Sequence, residues 1–425
     1  MTPFPRLRPR PAFLSAVPPA RRNHLSDLRG VSRLAIDATR GLTDLVEAMH
    51  HNISQVPGPF GKAASGATRG ITGLVYRSVR GVTGLVGQSI DAVLGKLVPL
   101  LDHVEPSPAR EAIIAALNGV LGDHLADSGN PLAIALSFRR EGRPLVLTPE
   151  SLAAAMPAPT GKLLVLVHGL CLNDLQWNRG GHDHGAALAR DLGYTTVYLH
   201  YNTGLHISTN GKGLAESLET LLRQWPVPLE EFTIVAHSMG GLVARSACHY
   251  GALGGHAWLR RLGTLVFLGT PHHGAPLERG GNWIDIVLDA SPYTAPFARL
   301  GKVRSAGITD LRYGNLADED WQGRDRFARG DRRRFVPLPE GVRCYAIGAT
   351  AGVKPRHDPR RLPGDGLVPL ESALGHHDNP DLELRIPNSR QWIAHDCGHL
   401  DLLDRADVYR RIRRWLDAGS AQATR

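Results

Sequence analysis

The chain has 425 residues, a hydrophobic fraction of 42% and four cysteines, enough length for one large core or two to three ordinary domains. The cysteines at 171, 248, 344 and 397 form no CxxC pair, which argues against a disulfide scaffold or a zinc ribbon and suits a reducing, cytoplasmic compartment. The net charge of +9 is uneven: residues 1–100 hold 13 Lys/Arg against 5 Asp/Glu, and the other 325 residues hold 36 against 35.

Residues 1–28 read as a basic arm. Arg6, Arg8 and Arg10 precede Ala12–Val17, but prolines break the apolar run, so the arm does not have the shape of a secretory signal. No apolar run reaches the roughly 18–20 residues of a membrane span. Residues 29–105 carry an internal repeat. Arg29-Gly30-Val31-Ser32 recurs from Arg40, Arg69 and Arg80, with a step of 11 residues inside each pair. Eleven residues make three helical turns. Apolar residues at 71, 74, 75, 79, 82, 85, 86, 90, 93, 94 and 97 then share one face. Glycines weaken such a helix by roughly 1 kcal/mol each. A basic, Gly-rich amphipathic helix needs a surface to fold on. Two readings stay open: peripheral binding of residues 29–97 to a membrane or lipid granule, or an antiparallel helix pair packed on the remaining body. Nucleic acid is disfavoured as a partner, because the basic third has no interleaved aromatics and no reader motif.

Ser107-Pro108 with Glu111 marks a helix start running to about residue 126. A hairpin is predicted around Arg139–Arg143. Apolar strands are predicted at 163–168, 195–200, 232–236, 264–268 and 342–348, and helices at 184–191, 210–224, 240–250 and 400–417. The alternation predicts an α/β fold, a mainly parallel sheet with helices on both faces.

The most informative run is Phe232-Thr-Ile-Val-Ala-His-Ser-Met-Gly-Gly241. A β-branched strand stops at Ala236, Ser238 follows among small residues, and a helical stretch begins at once. This is the strand–turn–helix setting of a nucleophilic serine, with the helix N-terminus ready to favour an oxyanion. The first body strand ends in His168-Gly169-Leu170, where a second oxyanion donor is expected. By position the donors are the backbone N–H groups of Leu170 and Met239. His168 precedes Ser238 in the chain and is expected to be structural. His237 borders the serine. The acid candidate is Asp365, in Gly364-Asp365-Gly366-Leu367-Val368-Pro369, and the base candidate is His399, with His395 as competitor. The order Ser…Asp…His is that of an α/β-hydrolase.

Together, Val167-His168-Gly169, Ala236-His-Ser-Met-Gly-Gly241, Leu268-Gly-Thr-Pro-His272-His273-Gly274, Asp365-Gly-Leu-Val-Pro369 and Gly398-His399-Leu400-Asp401 resemble the lipase-type α/β-hydrolases. That group includes bacterial triacylglycerol lipases and the GPI inositol-deacylase-like catalytic domain. Ala236 departs from the more common Gly at that position. The resemblance covers about residues 130–418 and implies a hydrolase domain over 106–418, followed by a tail at 419–425. It implies a serine carboxylic-ester hydrolase for an apolar ester, with no metal and no cofactor. An acyltransferase on the same fold, or a lipid-surface protein led by its N-terminal repeats, are the alternatives. Oligomeric state is not legible. His272 and His273 border the expected site, where they are expected to support it structurally rather than to contact the acyl group or a bound ion. Residues 276–341 form a long insertion, read as a lid hinged near Gly280 or as a permanently packed excursion. Its Asp318–Arg334 part reads as a solvated rim. Asp183, His182 and His184 lack a fourth ligand at sensible spacing and read as a polar loop.

Overall fold

In a computed structural model of the chain, the described residues are 108–275, 305–324, 330–352 and 364–423. The basic arm, the 11-residue repeats and the Gly280 hinge lie outside them.

Eight strands form one sheet in the order β2-β1-β4-β3-β5-β6-β7-β8. These are β1 (Ser137–Arg140), β2 (Arg143–Pro144), β3 (Lys162–Val167), β4 (Thr195–His200), β5 (Glu231–His237), β6 (Leu262–Leu268), β7 (Arg343–Thr350) and β8 (Gln391–His395). β1 pairs antiparallel with β2 and with β4, and every other pairing is parallel. β3 and β5 read as continuous apolar runs because both faces are covered. Leu163, Val165, Val167, Ile234 and Ala236 enter one core, and Leu164, Leu166 and Val235 enter the other.

Helices lie on both faces, as the alternation predicts. The first core also receives α1 (Pro108–Asp127) through Ile113 and Leu117. It takes Leu214 and Leu218 from α4 (Ile207–Arg223), and Leu242 and Val243 from α5 (Met239–Leu253). The second core receives Leu188 of α3 (His184–Leu192). Val408, Ile412 and Leu416 come from α8 (Ala406–Ala423). Short helices α2 (Pro149–Ala155), α6 (Ala306–Asp310) and α7 (Leu370–Leu374) sit between the main elements. Thr148 caps α2 and Asp183 caps α3 with side-chain oxygens, satisfying otherwise orphan amides.

Two elements differ from expectation, and one residue departs from its surroundings. β8 was not foreseen: it is an edge strand whose Trp392, Ile393 and His395 are only half-buried, so it lacks a solid apolar run. The last helix begins at Ala406 rather than at 400, because a 3₁₀ turn at Asp401–Leu403 intervenes. The described part of Asp318–Arg334 is mostly exposed, as expected of a solvated rim, with Asp320 as a buried exception. Asp320 is buried, accepting from Leu316 N and Ala317 N at 2.8 and 2.9 Å and from Arg334 N at 2.7 Å. Its carboxylate is satisfied by backbone amides of its own turn and of Arg334, which charge pattern cannot reveal.

The described half of the 276–341 insertion packs on the body. Ser305 Oγ donates to Gly119 O at 2.6 Å, Ala306 N donates to Asp123 at 2.9 Å, and Ile308 and Leu311 are buried.

β5 passes into α5 beside β3 at very short range. A Cβ placed on Gly240 would lie 2.4 Å from Val167 O and 2.5 Å from His168 O. Backbone on both sides leaves no side chain to yield. Gly240→Ala should therefore lower stability by about 1–3 kcal/mol, read as a fall in the urea midpoint. An unchanged midpoint would show that α5 can retreat from β3.

Candidate active site

The parallel strands all end on one edge of the sheet, where ligands of open α/β sheets sit. Ser238 follows β5, Asp365 lies in the loop beyond β7, and His399 lies in the loop beyond β8. All three are buried. The structure brings them into one hydrogen-bonded row. His399 Nδ1 is 2.7 Å from Asp365 Oδ2, and His399 Nε2 is 2.8 Å from Ser238 Oγ.

Each member is held by its own loop. Ser238 has φ 55° and ψ −127°, a conformation that costs a non-glycine residue about 1–3 kcal/mol. Its N–H donates to Leu268 O at 2.8 Å, and its carbonyl accepts from Gly241 N at 3.0 Å. Asp365 Oδ1 accepts from Leu367 N at 3.0 Å and Val368 N at 2.8 Å. That fixes the carboxylate and leaves Oδ2 for the imidazole. Gly364, at φ 88°, makes this loop possible, since a Cβ there would meet Val368 O at 2.0 Å. The His399 backbone N–H donates to Asp365 O at 3.2 Å. With Nδ1–H given to Asp365, the hydrogen-bond network assigns Nε2 as the acceptor for Ser238 Oγ–H.

Leu170 and Met239 flank the serine in the chain positions expected of oxyanion donors. Among the described residues, neither backbone N–H has an acceptor. Gly169 lies beside the serine: a Cβ there would stand 3.0 Å from Ser238 Cβ.

The other histidines fall into distinct places. His168 Nδ1 donates to Gly169 O at 2.9 Å, and burial depresses its pKa to about 3. It makes no bond to Ser238. His237 Nε2 donates to His399 O at 3.1 Å. Burial, and then the nearby His399 ring, keep His237 neutral well below the usual histidine range. His237 therefore holds the backbone of its partner histidine. His395 sits on β8 with Nδ1 3.5 Å from Thr350 Oγ1, away from the row. His272 and His273 bond none of the three residues. His273 Nε2 donates to Gly375 O at 3.0 Å, and Arg245 and Arg333 approach the two Nδ1 atoms at 3.3 and 3.0 Å. They belong to a separate polar network behind the loop after β6.

Two residues at the end of β4 escaped the sequence reading. Tyr201 stacks on His168 at 4.4 Å between ring centres and donates its hydroxyl to His168 O at 2.7 Å. Thr203 Oγ1 accepts from Cys171 N at 3.1 Å. Together they anchor both ends of the Gly169–Leu170 turn. Only their position just beyond a strand end could have marked them.

No group of three or more His, Cys, Asp or Glu residues able to hold a metal occurs among the described residues. His184 instead donates Nε2 to Leu402 O at 2.9 Å, and Asp183 caps α3. All four cysteines are free and buried. No helix among the described residues is long and apolar enough to cross a membrane. A groove of about 660 Å³ runs along β8, lined by residues such as Trp392, His395 and Arg405, and it includes none of Ser238, Asp365 or His399.

Comparison with known proteins places these features in context. A family model described as a domain of unknown function (DUF7379) matches residues 138–308. A search of curated proteins found no match. Among solved structures, the chain is similar to the mature form of the Bacillus licheniformis lipase BlEst2. That match has 17% identity and a TM-score of 0.40, covering 66% of this chain and 97% of the lipase. The Pyrococcus furiosus esterase Pf2001 matches at 14% identity and TM-score 0.36, covering 61% and 83%. The NocB thioesterase domain, in covalent complex with a fluorophosphonate nocardicin G analogue, matches at 17% and 0.35, covering 67% and 100%. The sheet of this chain, the strained serine turn after β5 and the order Ser, Asp, His along it are the arrangement of the α/β-hydrolase fold.

Burial of neutral imidazoles has a pH consequence. Burial lowers His168 and His273 to about 3 and His184 to about 4. The unfolded chain, with ordinary histidines near 6.5, binds more protons below that pH. Stability from these groups is complete above pH 6.5 and is lost as pH falls towards 3, by up to about 1.4 kcal/mol per pH unit for each histidine. Urea unfolding across pH 4–7 should show a multi-proton slope, and His168→Gln should reduce it by about one proton. A slope unchanged in that variant would mean His168 is not buried neutral.

Proposed function

We propose that the chain is a serine carboxylic-ester hydrolase acting on an apolar ester. The observation that carries the reading is the His399 imidazole, within 2.8 Å of Ser238 Oγ on one side and 2.7 Å of Asp365 on the other. This is the geometry a base needs to take a hydroxyl proton while a carboxylate steadies the cation that forms.

In this reading Ser238 Oγ attacks the ester carbonyl carbon as its proton passes to His399 Nε2. The carbonyl oxygen becomes an oxyanion facing the N–H groups of Leu170 and Met239, with the N-terminus of α5 adding its partial positive charge. His399 then gives the proton to the leaving alcohol, and an acyl-serine remains. Water, deprotonated by the same imidazole, attacks the acyl carbon. The second oxyanion collapses, the acid leaves, and Ser238 regains its proton. Asp365 holds the useful tautomer and does not take a proton. Preference for an apolar ester of the lipase type, and attachment to a lipid surface through residues 29–97, are parts of the same proposal. They rest on sequence pattern.

Ser238→Ala should reduce hydrolysis of a p-nitrophenyl ester by at least about 10³-fold and abolish labelling by a fluorophosphonate, with the urea midpoint little changed. Asp365→Asn should cost about 10⁴-fold in kcat through the wrong tautomer. Turnover retained by the serine variant would refute the assignment.

A further inference from the structure

α5 carries a buried cation that the proposed chemistry does not use. Arg245 stands about two turns beyond Ser238 and is 4% exposed. Nη2 donates to Val336 O at 2.5 Å, Nη1 approaches His272 Nδ1 at 3.3 Å, and Nε has no partner among the described residues. The charged group that acts on it is Arg333; the buried thiols of Cys248 and Cys344 beside it stay protonated and neutral, and no carboxylate is among these neighbours. Burial first, and then Arg333, lower its pKa to about 9, so it stays a cation at neutral pH. A buried charge without a counter-charge costs several kcal/mol.

His272 adds a second unused donor. It is 1% exposed. Because its Nδ1 accepts from Arg245, Nε2 carries the hydrogen, and Nε2 has no acceptor among the described residues. Arg333 differs: it pairs with Asp331 at 3.3 Å and donates to the carbonyls of Tyr313 and His272. Its charge is already balanced, so the cluster carries one uncompensated positive charge.

Arg245, His272, His273, Arg333 and Arg334 line a small cavity with Phe335 and Leu382, no Asp or Glu is on its walls, and the exposed Arg334 is paired with Glu319 at 3.6 Å. The room inside is about 10 Å³ for the centre of a water-sized sphere, about enough for a single small occupant. From this geometry we infer that the cavity between α5, the loop after β6 and residues 330–336 is a binding site for one small monovalent anion of chloride size. A cation is repelled by Arg245. A water molecule would accept hydrogen bonds but leave the charge unbalanced. A polyatomic dianion exceeds the single free charge. The bound anion would tie the helix that carries Ser238 to two loops that reach it from elsewhere in the chain. The site does not depend on the reaction proposed for Ser238.

The test is thermal unfolding of the full chain in sodium chloride and in sodium gluconate at matched ionic strength. Chloride at about tenfold excess over its Kd should raise Tm by roughly 2–4 °C relative to gluconate, and the rise should saturate. Arg245→Met should remove the difference between the salts. Crystals soaked in bromide should show an anomalous peak beside the Arg245 guanidinium, a readout that needs no variant to fold. Equal melting of the natural protein in the two salts would overturn the proposal. So would a chloride increment that survives in Arg245→Met, or a bromide soak with no peak at Arg245. A carboxylate of the chain filling the cavity would produce the first of these results.

Discussion

The site depends on how closely α5 approaches β3. The turn at Ser238 occupies backbone angles a serine avoids, and it would relax if the flanking segments allowed. Gly240 presses on the carbonyls of Val167 and His168, and Gly241 presses on Thr270, where an added Cβ would lie 2.0 Å from Oγ1. Those contacts are possible only without side chains. They make the strained turn the one conformation compatible with a packed sheet, and they aim the hydroxyl over the strand ends. Tight packing around a fixed backbone is what lets a protein keep such strain at a site.

The surrounding electrostatics follow from the same burial. Burial at the strand ends disfavours the charged form of His168 and His237, which serve as neutral donors to backbone carbonyls. His399 instead faces a carboxylate, Asp365. Similar ring chemistry therefore produces different roles from different neighbours. His237 supports the backbone of the residue whose imidazole meets Ser238, and Tyr201 supports the His168 carbonyl next to the Leu170 turn. The row of three side chains thus rests on a shell of groups that are neutral, buried and mostly paired. Arg245 is the exception, a cation with no acid beside it.

Much of this was legible from the chain. The strands β3 to β7 and helices α3 to α5 follow from apolar runs and periodic stretches, and their boundaries lie within a few residues of expectation. The Ser238 turn shows in a local pattern of a β-branched run, small residues and a helix start. Asp365 and His399 show because chain order limits which acid and which imidazole could meet that serine. β8 was not legible, since a half-exposed edge strand such as Gln391–His395 has no clean alternation. The burial of Asp320 was hidden too, because its partners are backbone amides, two in its own turn and one at Arg334, and leave no mark in side-chain identity.

The linear chain determined the layered sheet, the serine turn and the short set of residues able to join it, because those features arise from neighbours a few positions apart. It could not assign His237 to the backbone of His399, or tie His272 and His273 to the arginines beside them. Those outcomes turn on where residues up to 162 positions apart come to rest, such as His237 and His399. Only the packing of both helical layers on one twisted sheet fixes that geometry. Proximity across that distance is a property of the folded edge, and so are the neutral state of the histidines and the unpaired charge at Arg245.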